Sequence, residues 1–259
     1  MVSVKSKISS LLKYSYGIMG LRTDDILLIS FPRAGSTWVR FVLCNYVSLL
    51  ELEGQEVNFH AIDDYFPALG RSNLFETWRF NCLPRFVKTH QPYRNLLFGK
   101  PHRKVYILRD PRDVMVSYYR FRQASLEIPY KGSISDFIHH DKYGLRACIN
   151  HYLEWKNHLT YTIRYEDLIK DASSGFRQML DSIGIVPNND SLDSAIRRSS
   201  FNEMRHIQEK NGLPKYLKFD KHYRLARKGI SGDWVNYFSE SNLDFYQQIC
   251  EETGFDIYP

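Results

Sequence analysis

The segment ISFPRAGSTW (residues 29–38) has the composition of a loop that binds an anion where a strand leads into a helix. Backbone N–H groups at such a turn and the helix dipole attract negative charge, and Ser36 and Thr37 add hydroxyl donors. The nucleotide-binding pattern G-x-x-x-x-G-K-S/T would place a lysine after Gly35, but this chain has a serine there and an arginine, Arg33, earlier. We expect either a site where Arg33 binds an anion or an ordinary turn between strand and helix.

Two further segments place basic side chains at the expected carboxyl ends of strands. In VKTHQP, Lys88 lies two residues before His90, which makes this histidine a candidate general base. In YILRDPRDVMVSYYRF, Arg109 follows an apolar strand and Ser117 lies two turns into the next helix. Open α/β sheets bind ligands at the carboxyl ends of their strands, so we expect these groups to share a crevice. The alternatives are a structural or exposed histidine and an arginine paired with a neighbouring aspartate.

A fourth basic segment, RKGISGDW, lies within a stretch (211–237) that has little periodicity. Such a stretch in a compact domain is more often a functional loop than a linker. Arg227, Lys228 and Gly229 have the composition of a phosphate clamp, and a solvated basic loop is the alternative.

The elements that must position these side chains alternate between strands and helices. Apolar and β-branched runs predict strands at 25–30, 85–90 and 104–110, and 160–167 is a strand running into a helix. Helical periodicity follows from about Ser36 to Leu50 and again after Pro111. This alternation is typical of a parallel sheet covered by helices on both faces.

Bulk composition limits the class of protein. A chain of 259 residues forms one α/β domain or at most two small ones. The net charge of +6 favours an anionic partner, but the basic residues form no run of the kind that binds nucleic acid. We expect no transmembrane segment, although a weak amphipathic membrane helix at the N terminus is an alternative. The four cysteines are widely spaced, which favours reduced thiols and a cytoplasmic location.

Taken together and in this order, the segments resemble the cytosolic sulfotransferases, which use 3′-phosphoadenosine-5′-phosphosulfate (PAPS). The family's 5′-phosphosulfate loop, roughly Y-P-K-S-G-T-T-W, corresponds to FPRAGSTW (31–38). Its catalytic K-T-H-x-P appears as KTHQP (88–92), and its 3′-phosphate segment matches RDPRDVMVSYY (109–119).

Three shorter motifs of the family follow at the expected places. They are Y-E-D at 165–167, S-F-x-x-M at 200–204 and R-K-G-x-x-G-D-W at 227–234. The resemblance covers about residues 25–240. It implies a P-loop-like, three-layer α/β fold with a central parallel sheet flanked by helices, in a single domain of residues 1–259.

The resemblance also implies which residues bind the nucleotide: Arg33, Ala34, Gly35, Ser36, Thr37, Trp38, Arg109, Ser117, Tyr165, Ser199, Phe201, Arg227, Lys228 and Gly229. Within this set, residues 33–37 would hold the 5′-phosphosulfate. Trp38 and Phe201 would stack on the adenine, and Tyr165 and Ser199 would bond its edge. The remaining residues would bind the 3′-phosphate, which distinguishes PAPS from ATP.

The residues that would act in catalysis are His90, Lys88, Arg33 and Ser117. His90 would take a proton from the acceptor's oxygen or nitrogen, and Lys88 would neutralise charge on the transferring sulfonate. Arg33 stands where the family has a lysine; its guanidinium stabilises charge but, with a pKa above ~12, is a poor proton donor. No metal is expected, because cations and dipoles of the protein take its place.

The sequence departs from the family at Ala34, which replaces a serine, and at VNYFSESNL (235–243), where the short dimer motif is not evident. Monomer and homodimer therefore both stay open. A P-loop kinase is an alternative enzyme, because Asp110 follows an apolar strand as a metal-binding aspartate would. A non-catalytic module that binds PAPS or another nucleotide is the alternative from another class.

The residues predicted to contact the acceptor are Phe31, Asp63, Asp64, Tyr65 and Phe66. An acidic pair beside aromatic rings suits a cation, so a small natural-product acceptor with an amine or guanidinium is one hypothesis. The alternative is that the two aspartates cap a turn or face water while the rings pack in the core.

Overall fold

The computed structural model describes residues 17–100, 102–221, 223–226 and 229–258. Within them, a parallel sheet contains β1 (Ile26–Ser30), β2 (Phe86–Thr89), β3 (Arg103–Leu108) and β4 (Tyr161–Arg164), in the order β2-β1-β3-β4. In register, Ile26 of β1 pairs with Phe86 of β2 and with Arg103 of β3, and Val105 of β3 pairs with Tyr161 of β4. All four strands were predicted. The third ends at Leu108, so Arg109 and Asp110 lie beyond it.

The helices among these residues are α1 (Ser36–Glu51), α2 (Ile62–Tyr65), α3 (Asn95–Phe98), α4 (Pro111–Ala124), α5 (Ile134–Ile138), α6 (Leu145–Trp155), α7 (Tyr165–Lys170), α8 (Ala172–Ser182), α9 (Asn189–Arg198), α10 (Phe201–Asn211) and α11 (Glu240–Thr253). Short 3₁₀ helices cover Lys156–His158 and Asp233–Asn236. The predicted helix start at Pro111 is confirmed: proline occupies the first turn, and the Asp110 side chain caps it by accepting from the Arg112 N–H.

Alternate residues of each strand face two separate hydrophobic cores. In β1, Ile26 and Leu28 pack into one core with α1, whereas Leu27 and Ile29 pack into the other with α4 and α6. Every residue of β1 is buried, which explains why the strand is a continuous apolar run ending in a serine. The sheet is thus covered on both faces, which makes the fold three-layered.

The strand order also decides where ligands can bind. The chain passes from β1 to β2 on one side of the sheet and then crosses to β3 on the other side. The connections after β1 and β3 therefore diverge at their carboxyl ends, which is the switch point where doubly wound sheets bind ligands.

Candidate active site

A cavity of about 280 Å³ lies beyond the carboxyl ends of β1, β2 and β3. The predicted site residues that line it are Arg33, Gly35, Ser36, Thr37, Trp38, Asp63, Lys88, His90, Arg109, Ser117, Tyr165, Phe201 and Gly229. We call the part lined by Trp38, Arg109 and Tyr165 the Arg109 end, and the part lined by Asp63, Arg71 and Tyr216 the Asp63 end.

The loop between β1 and α1 supplies one wall of the cavity. Gly35 precedes α1 with φ of 112°, in the left-handed region. A Cβ atom on Gly35 would stand 2.6 Å from Cδ2 of Tyr165, so this glycine allows close packing of the loop on a ring. The first N–H groups of α1 have no partner within the helix, since the first turn of any helix leaves them free. They are the donors that the sequence predicts for an anion.

Arg33 links this loop to two distant parts of the chain. Its Nε donates to Oγ of Ser117 in α4 at 3.3 Å, and its Nη2 donates to the carbonyl oxygen of Leu225 at 3.2 Å. The guanidinium also lies 5.1 Å from the ring centroid of Phe121. Arg33 has φ of 74°, which is uncommon for a residue with a Cβ atom. These contacts hold its positive charge at the wall of the cavity.

His90 follows β2, and its ring orientation is determined by β1. Nδ1 lies 2.7 Å from the carbonyl oxygen of Ser30. A carbonyl oxygen can only accept, so Nδ1 carries the proton and Nε2 is the basic nitrogen. Burial, followed by the positive charge of Lys88, lowers the pKa of His90 well below its ordinary value. The ring is therefore neutral at pH 7 and able to take a proton.

His151 of α6 holds the backbone at His90, and the sequence analysis did not single it out. Its Nε2 donates to the carbonyl oxygens of His90 at 3.2 Å and Gln91 at 3.0 Å, while the Tyr106 hydroxyl donates to its Nδ1 at 2.8 Å. Trp155 Nε1 donates to the same Gln91 oxygen at 3.0 Å. Burial lowers the pKa of His151 to about 4, which keeps it neutral and preserves this pattern of donors.

Lys88 lies in β2 and its side chain lines the cavity. Its backbone pairs with the segment 67–69 through hydrogen bonds of 2.9 Å on both sides. Burial, assisted by the positive charges of Arg40 and Arg71, lowers the pKa of the Lys88 ammonium to about 7. At neutral pH this lysine is consequently divided between its charged and neutral forms.

The Arg109 end combines a half-buried cation with aromatic rings, and this cation pairs with a neighbouring aspartate, Asp113, at 3.8 Å, as the sequence alternative expected. The Arg109 guanidinium lies 4.4 Å from the ring centroid of Tyr165, and its Nη2 donates to the carbonyl oxygen of Ile230 at 3.1 Å. Trp38 contacts Tyr165 edge-on at 5.8 Å and Phe201 at 5.7 Å, between ring centroids. In the described part of the chain, Nε of Arg109 and Nε1 of Trp38 are buried donors without an acceptor. Such unsatisfied donors indicate a polar ligand.

At the Asp63 end, one carboxylate accepts hydrogen bonds from three side chains. Asp63 accepts from Arg40 at 2.6 Å, from Arg71 at 3.2 Å and from the Tyr216 hydroxyl at 2.9 Å. Burial alone would raise the pKa of Asp63, but the guanidinium of Arg40 and then that of Arg71 hold it below its ordinary value. Asp64, by contrast, is exposed to solvent.

Several predicted residues do not line the cavity that the described residues form: Phe31, Ala34, Asp64, Tyr65, Phe66 and Ser199. Tyr65 stacks on Phe80 at 5.3 Å, and Phe66 is fully buried in the core. The Ser199 hydroxyl is also fully buried, where it donates to the carbonyl oxygen of Ala195. Arg227 and Lys228 lie outside the described residues.

Some residues of the site were not predicted, although a local sequence pattern marks them, and others have no such pattern. His151 is a histidine on the apolar face of a predicted helix, and Arg40 is a lone charge within the apolar run WVRFVLC; both patterns indicate a buried polar partner. Arg71 and Tyr216 meet across 145 residues of chain, and no local pattern marks that contact.

The contacts of Asp110 argue against a role as a metal-binding aspartate. Its carboxylate pairs with Arg112 at 2.8 Å, and Asp110 is not among the residues that line the cavity. In the described ranges, no three His, Cys, Asp or Glu side chains gather as metal ligands would. None of the helices within those ranges has the length and apolar character needed to cross a bilayer.

Comparison with known proteins identifies the family to which this chain is similar. Residues 23–255 match the family described as the sulfotransferase domain. Sulfotransferase 1E1 of Cavia porcellus is 30% identical over 251 residues, which cover 88% of this chain and 83% of that protein. Sulfotransferase 2A2 of Mus musculus is 25% identical over 252 residues, which cover 90% of this chain and 85% of that protein.

Two solved structures are similar in fold. The crystal structure of mouse sulfotransferase SULT7A1 complexed with PAP has a TM-score of 0.72 at 21% identity, covering 97% of this chain and 91% of that chain. Retinol dehydratase in complex with androsterone and inactive cofactor PAP has a TM-score of 0.73 at 19% identity, covering 97% and 88%. These likenesses confirm the predicted P-loop-like α/β fold.

Proposed function

This chain belongs to the sulfotransferase family, and on that premise we propose that His90 is the general base for attack on PAPS by a small acceptor bound in the cavity. It is a PAPS-dependent sulfotransferase, as the motifs predicted. The kinase and non-catalytic alternatives are therefore set aside. We also propose the roles of individual residues, a small-molecule acceptor, a monomer or homodimer, and a cytoplasmic location.

One observation carries the assignment of the base. The 2.7 Å bond from Nδ1 of His90 to the Ser30 carbonyl oxygen leaves Nε2 as the basic atom of a residue that lines the cavity. A general base must be unprotonated and held within reach of the proton it removes. The lowered pKa of His90 supports the first condition, and its place on the cavity wall supports the second.

The Arg109 end fits the nucleotide. The unsatisfied donors Arg109 Nε and Trp38 Nε1 suit a phosphate and a heterocycle, respectively. PAPS, when bound, supplies the sulfonyl group. Trp38 and Phe201 contact each other at 5.7 Å, so these rings must separate before a purine can be stacked between them. We therefore expect the Arg109 end to widen when the nucleotide binds.

The other predicted catalytic residues lie where charge can be stabilised. Arg33 and the free N–H groups at the start of α1 would hold the phosphosulfate and neutralise the leaving phosphate oxygen. Lys88 would act in its charged form on the sulfonate. Ser117, which now accepts from Arg33 Nε at 3.3 Å, would help to hold the 3′-phosphate and to position Arg33.

The contacts of Asp63 do not favour an acceptor that carries a cation. An amine would have to compete with Arg40 and Arg71, two fixed guanidiniums that already share this carboxylate. Asp64 is exposed and does not line the cavity, so it adds no negative charge there. We therefore propose a hydroxyl as the nucleophile.

The proposal is tested by mass detection of sulfonyl transfer from PAPS to a panel of phenols, alcohols, amines and glycans. We expect sulfate esters of at least one hydroxyl-bearing class, formed one for one with adenosine 3′,5′-bisphosphate. The same assay with ATP should give no phosphate ester. Phosphate esters from ATP, or sulfonated amines with no sulfate ester, would overturn the proposal.

A further inference from the structure

The Asp63 end carries more positive than negative charge. Arg40, Arg71 and Lys88 line it, and the carboxylate available to them in the described part of the cavity wall is Asp63. The other aspartates of that wall have partners elsewhere: Asp113 pairs with Arg109 at 3.8 Å, and Asp233 accepts from Asn236 Nδ2 at 3.3 Å. Even with Lys88 neutral, two guanidiniums share one carboxylate, so this end keeps about one positive charge.

The two guanidiniums differ in what they can still bind. The Arg40 side chain is only 7% exposed, and its Nη2 also donates to the carbonyl oxygens of Ile62 at 3.0 Å and Phe66. The Arg71 side chain is 45% exposed, and Nη1 donates to Asp63 at 3.2 Å. A guanidinium has five N–H donors, so this bond leaves Arg71 with donors for a ligand. Arg40 Nε also lacks an acceptor among the described residues but is buried, so the more exposed Arg71 is the cation that an incoming molecule would meet first.

The surroundings of Arg71 hold it in place for such a ligand. Its guanidinium lies 4.3 Å from the ring centroid of Tyr216, whose hydroxyl donates to Asp63 at 2.9 Å. The ring and the carboxylate together fix the guanidinium, which reduces the conformational entropy lost on binding. A planar guanidinium held in this way is suited to bidentate binding of a carboxylate.

We propose that the natural acceptor is a small aromatic hydroxy acid, whose carboxylate binds Arg71 while its hydroxyl lies next to His90. This inference rests on the proposed sulfotransferase function of the same cavity. Aromatic side chains at the cavity wall, Phe59, Phe121 and Tyr216, would pack against the acceptor's ring. The hydroxyl oxygen forms a bond to sulfur, its proton passes to Nε2 of His90, and the bond from sulfur to the bridging phosphate oxygen breaks. The products are a sulfate ester and adenosine 3′,5′-bisphosphate.

Three phenols that differ in charge test the proposal: 3-(4-hydroxyphenyl)propionate, its neutral methyl ester, and tyramine. Their Kd values are measured by calorimetry on the protein with adenosine 3′,5′-bisphosphate bound, so the result does not depend on turnover. We expect the acid to bind about tenfold more tightly than the ester, and tyramine to bind more weakly than the ester. Where turnover is seen, kcat/KM should follow the same order.

Two variants identify the responsible charge. In Arg71→Gln the acid should bind no more tightly than the ester, and Arg71→Lys should keep part of the preference. Arg79→Gln removes an exposed arginine of the same segment that does not line the cavity, and it should change nothing. An acid that binds no better than the ester, or a preference that survives Arg71→Gln, overturns the inference. Sulfonation of the ester without such a preference would leave the proposed function standing.

Discussion

At the scale of single residues, the site depends on backbone oxygens that hold histidines in one tautomer. Ser30 offers its carbonyl oxygen to His90, and His90 and Gln91 offer theirs to His151. Both rings are neutral because burial lowers the pKa of each. His90, the proposed base, is thus positioned from both sides, by β1 through its ring and by α6 through its backbone.

The contact from His151 leads to a prediction about positioning. His151→Leu should lower kcat by about tenfold, because the carbonyl oxygens of His90 and Gln91 lose a donor and the segment after β2 can shift. His151→Gln, whose amide can still donate, should restore part of the loss. Calorimetry should show unchanged affinity for adenosine 3′,5′-bisphosphate in both. A Leu variant with normal kcat, or a Gln variant as impaired as Leu, would contradict this role.

The lowered pKa of Lys88 predicts a pH dependence. If charged Lys88 stabilises the sulfonate, kcat/KM for PAPS, which reports groups of the free enzyme, should fall as the pH rises through about 7, where the ammonium loses its proton. The decrease should approach tenfold per pH unit, while the acid limb from His90 lies well below pH 6.5. An aliphatic alcohol as acceptor keeps its own ionisation out of the range.

The matched variant for this profile is Lys88→Arg. An arginine stays charged throughout, so the decrease above pH 7 should disappear. A wild-type profile that is flat between about pH 7 and pH 9 would show that the charge of Lys88 is not needed.

At the scale of elements, the loop between β1 and α1 joins the proposed phosphate site to the core. Gly35 has a positive φ, and a Cβ atom there would meet the Tyr165 ring at 2.6 Å. The sequence analysis expected an anion-binding turn at this glycine, and the structure adds a packing reason for it. The loop is thus held both by its backbone conformation and by α7.

Two substitutions can separate the energetic contribution of the backbone conformation from that of the packing against Tyr165. Gly254 also has a positive φ, 67°, in the left-handed region, but a Cβ atom there would meet no described atom within 4 Å. Gly254→Ala should lower the free energy of unfolding by about 1 kcal/mol through backbone strain alone. Gly35→Ala should cost about 3 kcal/mol, because it adds a steric clash. Urea denaturation measures both, and equal losses would mean that the contact with Tyr165 carries no energy.

The elements were predictable where one local pattern decides the outcome. The short apolar run within 25–30 predicted a strand buried on both faces, and Pro111 marked the start of α4. The acceptor side was not predictable in the same way. Tyr65 and Phe66 follow an acidic pair, yet they pack in the core, because a helix of only four residues turns them inward. The amino-acid composition of the segment does not indicate whether these side chains point into the core or into the cavity.

At the scale of the whole molecule, the cavity is assembled from segments far apart in the chain. Arg33 bonds to Leu225 across 192 residues, and Tyr216 bonds to Asp63 across 153 residues. The family motifs locate the Arg109 end, because each motif is short and continuous. They do not locate the Asp63 end, because its charge balance depends on long-range contacts among Arg40, Arg71 and Tyr216.

The net charge of +6 is consistent with this arrangement. In our proposal, the arginines of the cavity wall and Lys88 face the two anionic regions of PAPS and an anionic acceptor. The central claim is that a single neutral histidine, held by the end of β1, removes the acceptor's proton in this positive environment.

The most direct test of that claim is the turnover of His90→Ala with saturating PAPS and the best acceptor, measured beside its affinity for adenosine 3′,5′-bisphosphate. The control is His139→Ala, which removes an exposed histidine that stacks on Phe245. We expect kcat to fall by about 10²–10⁴-fold in His90→Ala, with nucleotide affinity nearly unchanged and the control fully active. A His90→Ala enzyme that turns over at the wild-type rate would contradict the account.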